Sequence, residues 1–72
     1  MKVGEIKEWL TDELNKPYAW QRIVMHLLPT FRDEGYYYHT IDDDVELNEN
    51  LMNQIDSTVH KFYKTHLPRI TF

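Results

Sequence analysis

The sequence has no cysteine, two glycines, one serine, and no Lys or Arg anywhere between Asp33 and His60. The missing cysteine excludes a disulfide scaffold and any all-thiolate metal site, and it suits a reducing, cytoplasmic setting. Gly4 and Gly35 are too few for a Gly-rich phosphate loop. Ser57 has Asp56 beside it and His60 three positions on. In a helix Asp56 would point about 100° away from Ser57, and no glycine elbow accompanies it. No catalytic residues are expected. No apolar run is longer than a turn of helix, so no membrane span is expected. The opening Met1-Lys2-Val3-Gly4-Glu5-Ile6-Lys7-Glu8 alternates charge with apolar residues, unlike a secretory h-region.

The cation gap holds eight carboxylates: Asp33, Glu34, Asp42, Asp43, Asp44, Glu46, Glu49 and Asp56. Leu14–Arg32 is the reverse, with Lys16, Arg22 and Arg32 and no acid, as is Ser57–Phe72, with Lys61, Lys64 and Arg69 and no acid. The net charge of −4 is therefore segregated along the chain. Like charges gathered this way repel and need a positive group to offset them. Within the acidic stretch stand Tyr36, Tyr37 and Tyr38, a residue type enriched at protein interfaces.

At 72 residues the chain is one small domain, residues 1–72, near the lower limit for a fold held by a single apolar core. Val3, Ile6, Leu10 and Leu14 recur at helical spacing and predict a helix over Lys2–Asn15. Pro17 is placed to open a second helix, whose broad apolar face (Tyr18, Ala19, Trp20, Ile23, Val24, Leu27, Leu28) marks it as the most buried; Pro29 is expected to stop it. Thr30–Gly35 reads as a turn. Tyr36–Ile41 is compatible with a short strand or a helical turn, and its alternation favours an extended segment. A third helix is expected to start between Asp44 and Asn50 and run to about Thr65, before Pro68. Its face is Leu51, Met52, Ile55, Val59, Phe62 and Tyr63, and its early acids and late Lys61, Lys64 and His66 match the helix dipole. The fold class expected is mainly α: a compact three-helix domain with a short extended Tyr-rich segment, and a small two-stranded ribbon if Arg69–Phe72 pairs with it. Trp20, Ile23, Leu27, Ile55, Val59 and Phe62 should form the core.

Metal and cofactor readings fail on spacing. A twelve-residue calcium loop begun at Asp42 would need glycine where Leu47 stands and a bidentate Glu where Asn53 stands. His26, His39, His60 and His66 lack the i, i+4 pairing of a helical two-histidine site. No metal and no cofactor are expected. Direct nucleic-acid binding is disfavoured as well, since Lys16, Arg22 and Arg32 supply only a modest basic face.

The acids give the positive reading. Glu5, Glu8 and Asp12 form one stripe on the first helix, opposite Val3/Ile6/Leu10/Leu14. With Asp33, Glu34, Tyr36, Tyr37, Tyr38, Asp42, Asp43, Asp44, Glu46 and Glu49 they make up an expected partner-binding surface, acidic and aromatic, facing a basic site on another protein. From Tyr36-Tyr37-Tyr38 through Asp42-Asp43-Asp44 to the Leu51/Ile55/Val59/Phe62 helix, the chain resembles nuclease-colicin immunity proteins, which are small acidic helical inhibitors. The two helices upstream do not align with that family. The resemblance implies a non-enzymatic inhibitor or adaptor acting on a nuclease or other nucleic-acid-binding protein, a role shared with anti-restriction and anti-CRISPR inhibitors. Two alternatives stand beside it: a small winged-helix-like DNA-binding regulator, and a homo-oligomer, a homodimer for instance, whose subunits use the tyrosines on each other.

Overall fold

Helix α1 (Val3–Asp12) forms where the sequence pattern places it, with Val3, Ile6 and Leu10 buried along one face. The computed structural model describes residues 1–68. The α1 helix ends earlier than its pattern predicts. Asn15 takes a left-handed backbone (φ 54°), and the Lys16 amide turns back to the Leu10 carbonyl at 2.8 Å.

The start of α1 is held by the acidic segment 42–47. The Val3 amide donates to the Val45 carbonyl (3.0 Å), the Gly4 amide to the Asp43 carbonyl (2.9 Å), and the Leu47 amide to the Met1 carbonyl (3.2 Å). The first two bonds satisfy helix-start donors that have no partner within the helix. Gly4 permits this close approach, because a Cβ would lie 3.1 Å from the Asp43 Cβ and 3.2 Å from its carbonyl oxygen.

Helix α2 (Ala19–His26) buries Ala19, Trp20, Ile23 and Val24. Pro29 breaks it as expected, having no amide to return to Met25, but it also opens a new helix. Helix α3 (Leu28–Asp33) carries Pro29 in its first turn, where the missing N–H costs nothing. The expected Thr30–Gly35 turn is therefore helical through Asp33. Gly35, at φ 87°, ends the helix in a Schellman arrangement: Gly35 donates to the Arg32 carbonyl (3.0 Å) and Tyr36 to that of Phe31 (2.8 Å). The Tyr36 ring meets Phe31 edge-on at 6.4 Å, and Phe31 meets Trp20 likewise at 6.3 Å.

The tyrosine segment is extended at Tyr37 (φ −109°, ψ 148°) but not beyond it. Tyr38–Thr40 forms a 3-10 turn, closed by Thr40, whose hydroxyl donates to the Tyr37 carbonyl and accepts the Tyr37 amide. There is no strand among the described residues, only an isolated antiparallel bridge between Lys2 and Glu46. Arg69–Phe72, the other half of the expected ribbon, lies outside the described residues.

Helix α4 (Glu49–Tyr63) starts behind Asn48, whose side-chain oxygen caps the Leu51 amide at 2.9 Å. It ends at Lys64, which is left-handed at φ 59°, rather than at Thr65. Leu67 then folds back into the core, its amide donating to the Asp56 carboxylate at 2.8 Å.

The described architecture is thus mainly helical, with four α-helices where the sequence predicts three. The core joins α1 (Val3, Ile6, Leu10), α2 (Trp20, Ile23, Val24), Phe31 of α3 and α4 (Leu51, Ile55, Val59). Five of the six expected core residues are buried. Phe62 is not; it is half-buried, with the Arg22 guanidinium 4.1 Å over its ring and His26 at its edge.

Candidate partner-binding surfaces

Glu5, Glu8 and Asp12 are all exposed, on the side away from Val3, Ile6 and Leu10. Trp9 lies within the stripe, about 40° from Glu5 around the helix. Half-buried, it lines a groove of about 310 Å³ with Met1, Glu5, Glu8, Asp12, Glu13 and Pro68. The Met1 ammonium is drawn off to Glu46 at 3.2 Å, and the Glu5 carboxylate accepts the Lys2 amide at 2.9 Å. Glu8, Asp12 and Glu13 have no cationic partner among the described residues. An indole edged by carboxylates receives a cation twice over, by charge and by the face of the ring.

The expected Tyr-Asp surface divides its residues between structure and solvent. Tyr36 is half-buried on Phe31, with its hydroxyl donating to the Glu46 carbonyl at 3.3 Å. Tyr37 and Tyr38 are 55% and 57% exposed, and Tyr37 stacks on His39. Asp43 pairs with Lys7 at 2.8 Å, and Glu34 is bonded by the side-chain amides of Asn48 and Asn50. Asp33, Asp42 and Asp44 are exposed without a cation among the described residues. Glu49 is exposed in the first turn of α4.

The two acidic surfaces meet only through Glu46, which reaches the ammonium of Met1 at the groove, while the Asp42–Asp44 loop stands apart from it. Lys7, which holds Asp43, stands about 160° around α1 from Glu5. The Asp42–Asp44 loop and the Trp9 groove therefore lie on different sides of that helix. Asp56, beside Ser57 in sequence, is committed to the Leu67 amide and to His66 Nδ1 at 3.3 Å.

Trp9 and Glu13 were missed by the sequence reading. Trp9 carried a signal: it departs from the Val3/Ile6/Leu10 face, follows Glu8 directly and stands one helical turn before Asp12. Compared with protein-family models, curated proteins and solved structures, the chain matches none. The resemblance to immunity proteins rests on the residues between Tyr36 and Phe62 alone.

Proposed function

We propose that this protein is a non-enzymatic binding module, an inhibitor or adaptor, that docks on a basic site of a partner protein. The observation that carries the reading is the Trp9 groove, where Glu8, Asp12 and Glu13 edge a half-buried indole without a neutralising cation among the described residues. A Lys or Arg of the partner would lay its charge among the carboxylates and its stem on the ring. Arg suits the site best, since its flat guanidinium stacks and forks onto carboxylates at once. A surface rich in such side chains is typical of proteins that hold nucleic acid, so a nuclease or a similar protein is the partner class proposed. Tyr37 and Tyr38, with Asp42 and Asp44, form a second contact surface of the same character.

The winged-helix alternative needs a two-stranded wing, and the described residues contain no strand. Affinity capture from host lysate, run in parallel with the parent and a Glu8→Gln/Asp12→Asn variant, tests the proposal. A basic protein retained by the parent and lost by the variant supports it. Equal retention by both would remove the groove from the account.

A further inference from the structure

At the start of α2 the charge is inverted. Asn15, Lys16, Tyr18, Arg22 and Tyr63 line a groove of about 390 Å³ that contains no carboxylate. Its two cations come from the acid-free stretch 14–32 and have no carboxylate partner among the described residues. The Arg22 guanidinium is held from below by the Phe62 ring at 4.1 Å and lies 5.9 Å from the Tyr63 ring. A guanidinium stacked this way is fixed in place while its in-plane N–H groups stay directed outward. Tyr18 stands 79% exposed beside it, the most exposed large aromatic of the described residues. Nothing in the core uses that ring.

A stacked guanidinium and a second cation, Lys16, beside an exposed aromatic ring match a ligand that carries both an anion and a flat ring. We infer that this groove binds a nucleotide unit, with phosphate between Lys16 and Arg22 and the base stacked on Tyr18. An acidic peptide would satisfy the cations but leave the tyrosine face without a partner. The volume lies in the range of small-ligand sites. The groove is independent of the acidic surface and of the partner proposed for it.

The test is a titration of isotope-labelled protein followed by amide NMR, using AMP, a thymidine oligonucleotide and polyglutamate as separate probes. Saturable shifts confined to Lys16–Arg22 and Tyr63, with AMP or with the oligonucleotide, are the expected result. Similar affinity for AMP and for the oligonucleotide would identify free nucleotide as the source. An oligonucleotide preference of about tenfold or more, with a logarithmic salt slope of about −0.7 for the one phosphate held, would identify a single strand. Tyr18→Ala should weaken binding by roughly fivefold or more at unchanged melting temperature, as loss of a base-stacking ring does. Lys16→Glu should abolish it, whereas Glu8→Gln/Asp12→Asn should not weaken it. Absence of saturable shifts at millimolar AMP and with the oligonucleotide, an equal response to polyglutamate, or an unaffected Tyr18→Ala variant would each overturn the assignment.

Discussion

The carbonyl oxygen of Asp43 accepts the Gly4 amide at 2.9 Å, while the Asp43 carboxylate reaches Lys7 on the next turn at 2.8 Å. One residue of the most acidic stretch thus serves as a cap for the first helix and as partner to one of its cations. The negative charge sits at a helix N-terminus, where the dipole favours it. Part of the acidic block therefore has a structural reason, and only the carboxylates left unpaired remain for binding.

Gly4→Ala tests the closeness of that contact. The new Cβ would press on the Asp43 carbonyl and on its Cβ, so the loop must shift by a few tenths of an ångström. A loss of about 1–3 kcal/mol is expected from such overpacking, outweighing the gain in helix propensity. Denaturant unfolding of the two proteins measures it, and an Ala variant as stable as the parent would show that the loop yields freely.

Gly35→Ala should also destabilise, by about 1 kcal/mol, for a different reason. Open space surrounds the position, but φ 87° is strained for any residue with a Cβ. Because Gly35 closes α3 and turns Tyr36 onto Phe31, the same variant should reduce protection of the Tyr36 amide in hydrogen exchange.

Phe31→Ala should cost about 3–5 kcal/mol and Ile55→Ala about 2–5 kcal/mol, both read by thermal or denaturant melts. Either loss is comparable with the whole stability of a domain this small. Phe62→Ala, at a half-buried position, should cost less than Phe31→Ala; the reverse order would contradict the described core.

These residues show what was legible in the sequence. The α1 and α4 faces could be read because their apolar residues repeat at helical spacing over three turns or more. Phe31 could not, because Pro29 and Gly35 bracket it and both signal a turn. In the fold they are the start and the end of a one-and-a-half-turn helix. Tyr38–Thr40 was open between strand and turn, and the choice fell to Thr40, whose hydroxyl bonds back to Tyr37. The segregation of charge was plain in the sequence. Which acids are spent on Lys7, the N-terminus, Asn48 and Asn50 is a matter of tertiary contact that spacing does not encode.

Replacing Tyr37 or Tyr38 by Ala should leave the melting temperature unchanged, since both rings are more than half exposed. If either ring anchors the partner, its loss should raise the off-rate about tenfold or more. Asp42→Asn/Asp44→Asn should instead slow association and flatten its salt dependence. Surface-based kinetics against the captured partner at two ionic strengths separates the two effects. Unchanged association at low salt would reduce this loop to a solvated cap of α1.

The central claim is that Trp9 and its carboxylates grip a basic side chain. The most direct measurement is the pair of association and dissociation rates with the captured partner for parent, Trp9→Ala and Glu8→Gln/Asp12→Asn, each first shown by circular dichroism to be folded. The account predicts dissociation at least about tenfold faster for Trp9→Ala, and slower, salt-insensitive association for the carboxylate variant. Parent-like kinetics from both folded variants would contradict it.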